Sequence, residues 1–400
     1  MSKLRKVNQE NLKDMNSQII LNCIRKYKEI SRIDLAAYTR LSPTTISSIV
    51  SELISKGMVT ELGIGESSGG RRPVMVGINP DGKYVISIML TPKGATYALI
   101  NLKCQIVEQN HIDCKANGES IVKDTLINCI DDIFRQFPKC KEKVCGIGIS
   151  IPGVIDRKNG KVFFSSTLHL RDFDMASIIK DYTGIKCFIF KDTDSLILGE
   201  YNFGTCNRYS NFIYIIVENG VGMSYIHSGK LFNPSFVGGL ELGHLTIDSN
   251  GARCRCGNTG CLGTVVSEEP AIKRLEKLIK KGYESEVQDT KGIHLSDIVA
   301  MSNRGDKAAL YVLEEQARLL GIGVANVMNM FNPEMIVIGG SLNKCKWNFL
   351  EQLINVVKDR ALDTYSSTAE IRFAELGEES ALLGMANEIY ENKIFRALEL

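Results

Sequence analysis

The stretch Cys254-Arg255-Cys256-Gly257-Asn258-Thr259-Gly260-Cys261, preceded by His244, places three thiols and one imidazole within eighteen residues. Four ligands of this kind form a tetrahedral zinc site, and a site filled by four protein ligands is structural because no position remains for water. Gly257 and Gly260 allow the short loop to fold back on the metal. A set of buried free thiols is the alternative. The sequence predicts a zinc-stabilised loop with the ligands His244, Cys254, Cys256 and Cys261.

Further motifs lie on both sides of this stretch. They are Glu241-Leu242-Gly243-His244, the glycine-containing stretches 148–156 and 338–340, Asp192 with Leu198-Gly199-Glu200, and Asn332-Pro333-Glu334. Together with the cysteine stretch they resemble the ROK family, which groups sugar-responsive repressors with bacterial sugar kinases. The resemblance covers nearly the whole chain. The cysteine motif is specific, whereas short glycine patterns alone are weak evidence.

The resemblance implies an α/β body of two actin-like or hexokinase-like lobes, with a ligand in the cleft between them. Apolar alternation predicts strands at 84–90, 95–102 and 144–151, and helical spacing predicts helices at 120–137, 308–330 and 381–390. We expect residues 79–190 plus about 376–400 to form the first lobe. Residues 191–375 should form the second lobe, which contains the zinc-binding loop.

Length and composition agree with a multidomain protein of the cytoplasm. A chain of 400 residues exceeds the length at which single cores stop growing, about 250 to 300 residues. No apolar run approaches the roughly 20 residues that span a bilayer, and the first residues lack the apolar stretch of a signal peptide. Most of the 12 cysteines occur singly, which is typical of reduced thiols. We therefore expect neither a membrane partner nor a disulfide framework.

The sequence of the first 78 residues predicts an α+β winged helix-turn-helix domain. Up to Val76 the chain has 12 Lys or Arg against 7 Asp or Glu, an excess that suits nucleic acid but is modest evidence. A first amphipathic helix ends near residue 28, Ser31 has the capping pattern of a second, and Ser42 followed by Pro43 caps a third. Strands at 58–62 and 74–78 flank a glycine-rich tip at 63–70, which is typical of a wing.

The third helix has an apolar stripe on one side and small hydroxyls on the other. Residues near the start of a recognition helix usually reach base edges, and wing arginines can bind phosphates or enter the minor groove. An ordinary three-helix module with a solvated serine face is the alternative. Arg40 departs from the family pattern, which has glycine in this turn. The predicted DNA contacts are Ser42, Thr44, Thr45, Ser47, Ser48, Arg71 and Arg72.

The body lacks parts of the kinase phosphate site that the resemblance implies. Where family kinases have an acidic residue and a glycine pair in the first hairpin, this chain has Met89 and Thr91-Pro92. A metal-linked carboxylate is therefore missing, and Pro92 donates no amide. The stretch Gly220-Val221-Gly222-Met223-Ser224 is half of a second phosphate loop or a glycine-rich turn between strands. We expect no enzyme activity and no catalytic residue.

The resemblance assigns carbohydrate binding to Asp192, Glu241 and His244, with Asp192 at the position of the kinases' catalytic base. A carboxylate there can accept a hydrogen bond from a sugar hydroxyl. Two departures change the charge, because Lys191 stands where the family has Asn and Gly263 where it has Glu. One hypothesis is an anionic carbohydrate effector that pairs with Lys191. The other is that Lys191 pairs with Asp192 or Asp194 and the pocket has lost its sugar specificity.

The sequence as a whole predicts a sugar-responsive repressor of carbohydrate-utilisation genes, with xylose metabolism as the expected context. Its partners should be operator DNA, a small carbohydrate effector and further copies of the chain in a homodimer or homotetramer. The alternatives are an ATP-dependent sugar kinase with a fused DNA-binding domain and a constitutive DNA-binding protein with a non-functional sensor.

Overall fold

The computed structural model describes residues 9–65, 72–232 and 238–395. The chain divides into two compact units, one formed by Met1–Phe190 with Met385–Leu400 and the other by Lys191–Gly384. The first unit contains a helical head with a wing and an α/β lobe, whereas the second is an α/β lobe alone.

The head is a helix-turn-helix followed by a wing. Its elements are α1 (Gln9–Tyr27), β1 (Ile30–Ser31), α2 (Arg32–Thr39), α3 (Pro43–Ser55), β2 (Val59–Ile64) and β3 (Val74–Ile78). The strands pair antiparallel in the order β1-β3-β2. The three helices and the wing strands were predicted, but β1 was not, because two residues between helices carry no periodic signal. Most of the predicted wing tip lies outside the described residues.

Side-chain caps decide where the second and third helices begin. The Ser31 hydroxyl accepts from the Asp34 amide at 3.0 Å, and the Ser42 hydroxyl accepts from the Thr45 amide at 3.2 Å. Each bond satisfies an amide that has no partner within its helix, as predicted for both serines. Pro43 occupies the first turn of α3, where a missing N–H costs nothing.

The turn between α2 and α3 contains a residue in the left-handed conformation. Arg40 has φ 58° and ψ 23°, which costs a residue with a Cβ about 1 kcal/mol. The Thr39 hydroxyl holds this turn, because it donates to the Leu35 carbonyl at 2.6 Å and accepts from the Leu41 amide at 3.4 Å. Arg40 is therefore held in a strained conformation with its side chain exposed.

The first lobe combines a five-stranded sheet with a three-stranded one. Its elements are β4 (Tyr84–Thr91), β5 (Gly94–Asn101), β6 (Ile106–Asp113), α4 (Glu119–Gln136), β7 (Val144–Ile151), β8 (Val154–Asp156), β9 (Lys161–Ser165), β10 (Leu170–Phe173), α5 (Met175–Thr183) and β11 (Cys187–Lys191). The larger sheet has the order β11-β7-β4-β5-β6, in which β4 is parallel to β7 and antiparallel to β5. The smaller sheet has the order β10-β9-β8.

The second unit is built on a mixed sheet covered by helices. Its elements are α6 (Asp192–Phe203), β12 (Phe212–Val217), β13 (Val221–His227), β14 (Lys230–Leu231), α7 (Gly263–Val266), α8 (Glu268–Lys280), α9 (Leu295–Asn303), α10 (Lys307–Phe331), β15 (Met335–Gly340), α11 (Phe349–Arg360), α12 (Asp363–Ser366), β16 (Glu370–Phe373) and the start of α13 (Glu379–Lys393). The sheet order is β14-β13-β12-β15-β16. The fully buried side of α10 packs in its apolar core.

The predicted body segments agree with these bounds to within three residues at either end. Their apolar patterns were clear because helices bury the strands, and each of these helices buries one side in an apolar core. Within the described ranges, no helix has the length and apolarity needed to cross a membrane.

Helices cover both faces of the larger sheet in the first unit. One face packs against α4 and α5 through a continuous apolar core. On the other face, a Cβ added to Gly146 would lie 2.8 Å from Ile389, and one added to Gly148 would lie 3.1 Å from Met385. The two glycines of β7 thus allow α13 to lie directly against the strand.

The end of α13 also contacts the head. Arg25 of α1 donates to the Asn387 side chain at 2.8 Å and forms an ion pair with Glu391. The Arg25 guanidinium lies 4.2 Å from the centre of the Phe395 ring, a cation–π distance, and Asn22 donates to the Phe395 carbonyl at 3.2 Å. The head is therefore held to the end of α13 in the first unit by hydrogen bonds, an ion pair and a cation–π contact.

The start of α13 packs on α6 with backbone against backbone. A Cβ on Gly199 would lie 2.0 Å from the Ser380 carbonyl oxygen, and one on Gly384 would lie 2.2 Å from the Ser195 carbonyl oxygen. This packing keeps the start of α13 in the second unit. The division at Met385 consequently comes later than the return to the first lobe that we predicted at about residue 376.

We expect Gly199→Ala to lower the free energy of unfolding by about 2 kcal/mol, because its Cβ would displace the backbone of α13. Urea unfolding of the full-length protein measures this effect. Gly377→Ala is the matched control, since a Cβ there meets no atom within 4 Å. Equal unfolding midpoints for the two variants would contradict the expectation.

Candidate functional site

The exposed side of α3 presents hydroxyl groups. Thr44, Ser47, Ser48 and Ser51 are all exposed on this side. Small side chains allow a helix to approach the floor of the major groove, where serine and threonine hydroxyls can bond to several bases. The surface therefore has the shape and chemistry that close contact with DNA requires.

The hydroxyls at the start of α3 bond with one another. Ser42 Oγ lies 2.9 Å from Thr44 Oγ1 and 2.8 Å from Thr45 Oγ1, and Thr45 is half-buried. Within the described residues, the hydroxyls of Ser47 and Ser48 have no hydrogen-bond partner. These two serines are thus the freest of the predicted hydroxyl contacts, whereas Ser42 and Thr45 also serve the cap.

The wing contributes one described arginine. Arg72 is exposed just before β3, whereas Arg71 lies outside the described residues. An exposed guanidinium beside a β-ribbon can bind a phosphate or enter a minor groove. The role predicted for Arg72 is therefore compatible with its position.

Four metal-binding side chains converge in the second unit. One ligand atom from each of His244, Cys254, Cys256 and Cys261 lies within 4.8 Å of the others. His244 Nδ1 is 3.6 Å from Cys254 Sγ, and Cys256 Sγ is 3.8 Å from Cys261 Sγ. Tetrahedral zinc, with Zn–S near 2.3 Å and Zn–N near 2.0 Å, requires separations of about 3.6 Å and about 3.8 Å for such pairs. The donor set fits zinc.

Two glycines shape the loop around these ligands, as the sequence predicted. Gly257 and Gly260 have φ of 98° and 71°. A Cβ on Gly260 would lie 1.5 Å from the Asp248 carbonyl oxygen, so no other residue fits there. The Cys254 amide donates to the Asn258 carbonyl at 2.8 Å and closes the tip of the loop.

An ion pair lies at the predicted effector residues of the same unit. Lys191 Nζ is 3.0 Å from Glu241 Oε1 and 3.4 Å from the Gly239 carbonyl oxygen. The Lys191 side chain is 13% exposed and that of Glu241 is 38% exposed. The carboxylate partner of Lys191 is therefore Glu241, which neither of our two hypotheses had named, and the lysine charge is compensated without a ligand.

Asp192 follows directly, at the start of α6. Its Oδ1 accepts from the Thr193 amide at 2.8 Å. Burial raises the pKa of Asp192 to about 6, although the positive charge of Lys191 acts in the opposite direction. Asp192 is thus mostly ionised at neutral pH, although burial makes its ionised form less favourable than in water. Carboxylates with such shifted pKa values are common at functional sites.

One short turn connects the ion pair with the metal ligands. The His244 amide donates to the Glu241 carbonyl at 3.0 Å, and the turn spans Leu242–His244. With Nδ1 of His244 facing Cys254, Nε2 is free to bind a ligand hydroxyl or an orienting group. At Gly263, a Cβ would lie 3.1 Å from the Gly243 carbonyl oxygen. A side chain at this position would therefore be in tight contact with the turn.

Protein-family models match almost all of this architecture. Residues 85–390 match the model of the ROK family, which is more than half of the chain. The chain belongs to the ROK family. Residues 16–60, which include α2 and α3, match the winged helix-turn-helix DNA-binding model. The match places this ROK protein with members that carry a DNA-binding head.

Similar proteins support the regulator branch. The chain is 32% identical to the xylose repressor of Bacillus spizizenii over 381 residues, covering 95% of this chain and 96% of the relative. It is 27% identical to the N-acetylglucosamine repressor of Escherichia coli O157:H7 over 371 residues, covering 93% and 91%. Both alignments span the head as well as the body.

Solved structures confirm the predicted fold class. A ROK family transcriptional regulator, described as a homolog of the E. coli MLC protein, superposes with a TM-score of 0.80 at 28% identity, covering 95% of this chain and 97% of that one. The ROK family glucokinase from Streptomyces griseus shares the fold of the body, with a TM-score of 0.68 at 20% identity over 76% and 98%. The body is hexokinase-like and follows the winged helix-turn-helix in the chain.

The first hairpin of this ROK protein has a turn with few free amides. β4 and β5 meet at Thr91↔Gly94, which leaves Pro92 and Lys93 as the turn. Pro92 has no N–H, and the Lys93 amide donates to the Thr91 hydroxyl at 3.2 Å. No acidic side chain stands in this turn to hold a magnesium ion.

A carboxylate that the sequence analysis did not identify lies two residues before the second glycine stretch. Glu218, at the end of β12, accepts from the Ser341 amide at 2.5 Å and from its hydroxyl at 2.8 Å. Gly222 packs against Thr193, because a Cβ there would lie 2.6 Å from the threonine methyl. The packing explains Gly222 without a phosphate, and Glu218 adds negative charge where a phosphate loop needs none. Only the distance between Glu218 and Ser341 in sequence hid this contact.

We expect the purified protein to contain one zinc ion per chain and Cys256→Ser to lose it, since three ligands hold zinc less tightly than four. Metal analysis by mass spectrometry gives the stoichiometry. Cys114→Ser, outside the cluster, is the control and should retain the metal. A wild-type protein without zinc after expression in zinc-containing medium would contradict the expectation.

Asp192→Asn should stabilise the protein at pH 7.5 by on the order of 1 to 3 kcal/mol. The reason is that the pKa of Asp192 is about 6 in the folded protein, so the ionised carboxylate is disfavoured there relative to the unfolded chain. The stabilisation should be constant above pH 6 and shrink as the pH falls from about 6 towards 4. Urea unfolding at several pH values tests this, and a pH-independent difference would exclude the cause given.

Proposed function

We propose that this ROK protein is a sugar-responsive repressor of carbohydrate-utilisation genes. The observation that carries the proposal is the presence in one chain of a winged helix with a hydroxyl-covered recognition helix and a sugar-kinase-like body that retains Asp192 but not the phosphate-binding turns. The winged helix binds operator DNA in the cytoplasm, and the body binds a carbohydrate.

The DNA contacts come from the start of α3 and from the wing. Ser47 and Ser48 read base edges, with Thr44 beside them, and Arg72 binds the backbone or the minor groove. A homodimer or homotetramer would place two heads on half-sites about one helical turn, or a multiple of it, apart. Palindromic operators should result.

The effector is a neutral sugar. Lys191 is already paired with Glu241, so an anionic ligand would meet the negative charges of Asp192 and Glu241 while Lys191 is not free to bind it. A neutral ligand can instead donate hydroxyl hydrogens to Asp192 and Glu241 and accept from Nε2 of His244. The ion pair therefore argues against the uronic acid or phosphosugar suggested by the sequence, and the relatives make xylose and N-acetylglucosamine the first candidates.

Zinc has a structural role in this proposal. Four protein ligands would close the coordination sphere, so the metal would supply no reactive water. Its binding would fix the turn that begins at Glu241 and thereby hold this carboxylate against Lys191. Loss of zinc should consequently weaken sugar binding as well as stability.

A second candidate is a sugar kinase, and Asp192 is the observation that favours it. A carboxylate with a pKa of about 6 could act as a general base towards a sugar hydroxyl. The turn at Pro92 and the carboxylate of Glu218 argue against productive ATP binding, because phosphoryl transfer depends on amides and cations around the phosphates.

The decisive experiment selects genomic DNA fragments on the full-length zinc-loaded protein at about 150 mM salt, where phosphate-only binding is weak. We expect enrichment of a few palindromic sites and their release by one neutral sugar of a panel that includes xylose, N-acetylglucosamine and glucuronate. Asp192→Asn should bind the same DNA but require at least tenfold more sugar for release.

Three other outcomes separate the alternatives. Sugar-dependent ADP formation with ATP and Mg²⁺ would support the kinase. Specific DNA binding that no carbohydrate changes would support a constitutive DNA-binding protein. Enrichment of no site would overturn the proposed regulator.

A further inference from the structure

The recognition helix α3 has no cation of its own. Its single charged residue is Glu52, which pairs with Lys13 and with Lys56 at 2.7 Å each. The exposed side chains between Thr44 and Ser51 are neutral hydroxyls. Protein–DNA complexes, however, direct half or more of their hydrogen bonds to the sugar-phosphate backbone, and arginine and lysine supply most of the charge. The positive charge beside α3 must therefore come from a neighbouring segment.

Two of the four described arginines of the head are already paired with carboxylates. Arg32 lies 3.3 Å from Glu61, and Arg25 pairs with Glu391 and Asn387 of α13. Arg40 differs from both, because the contacts of the described residues give its exposed side chain no carboxylate partner. It lies in the turn that leads directly into α3, two residues before the Ser42 cap.

The turn also fixes the backbone position from which the Arg40 side chain extends. The Thr39 hydroxyl bonds on both sides of Arg40, to the Leu35 carbonyl and the Leu41 amide, and Arg40 itself is in the left-handed conformation. Glycine would adopt this conformation without strain. Little conformational freedom of the backbone is thus left to be lost when the side chain binds.

We propose that Arg40 is a DNA-contacting residue, and that its guanidinium binds a backbone phosphate beside the groove that α3 enters. The inference rests on the proposed DNA-binding function and deepens it. A phosphate is favoured over a base because Arg40 lies outside the helix that approaches the base edges. The contact would position the hydroxyl face of α3, which then reads the sequence.

The test measures binding of the full-length protein to its selected operator and to an unrelated duplex by fluorescence anisotropy, over a series of salt concentrations. For Arg40→Gly we expect about tenfold weaker binding to both duplexes. The negative slope of log K against log salt should decrease in magnitude by about 0.9, the value for one phosphate. Arg40→Lys keeps the charge and should retain most of the affinity and the slope.

The glycine variant also separates a lost contact from a damaged fold. Because glycine relieves the left-handed backbone, Arg40→Gly should not unfold at a lower temperature than the wild type. Lys28→Gly is the matched control, since Lys28 is also exposed with a positive φ of 63° in the same head. It should change affinity by less than twofold.

Several results would overturn the proposal. Unchanged affinity and slope in Arg40→Gly would show that Arg40 is merely solvated. An equal loss in Lys28→Gly would indicate a general charge effect. A loss in both Arg40 variants that is confined to the operator and absent for the unrelated duplex would indicate a base contact instead. If the wild type selects no operator, the proposed repressor fails, but the unrelated duplex still decides whether Arg40 binds a phosphate.

Discussion

Both units depend on how closely helix α13 can approach its neighbours. Its first turns lie against α6 because Gly199 and Gly384 have no side chain, and its later turns lie against β7 because Gly146 and Gly148 have none. Close backbone approach of this kind admits no compensating shift, since protein interiors are packed at crystal density. The later turns of α13 also bond with Arg25 of α1 through Asn387 and Glu391, so the position of the head on the first lobe follows from these turns.

Charge pairing sets the electrostatics of the second unit. The charge of Lys191 is compensated by Glu241, whereas burial raises the pKa of Asp192, whose Oδ1 accepts from the Thr193 amide. Glu218 likewise fills hydrogen-bond donors at Ser341. Phosphate binding depends on amides and cations around the phosphates, and the turn at Pro92 and the carboxylate of Glu218 offer few of either.

A different constraint applies to the head, because a helix that enters a DNA groove closely must also be held on the sugar-phosphate backbone. A hydroxyl-covered helix fits deep into a groove but has little charge with which to hold the backbone. Its own Glu52 is neutralised by Lys13 and Lys56, so the surface does not repel phosphates. Cations in the turn and the wing are placed beside the helix, where they can bind the backbone without competing with the hydroxyls.

The sequence by itself determined whatever depends on residues close together in the chain. Hydrophobic period predicted the helices and wing strands of the head and six elements of the body. Hydroxyl caps predicted helix starts at Ser31 and Ser42, and the cysteine spacing predicted the convergence of four ligands, because caps and chelate loops are local. The tertiary structure alone decided the pair of Lys191 with Glu241, 50 residues away, and the unit to which the start of α13 belongs. Such contacts leave no pattern in a single sequence, since which distant charges meet is set by how strands and helices pack, not by their spacing.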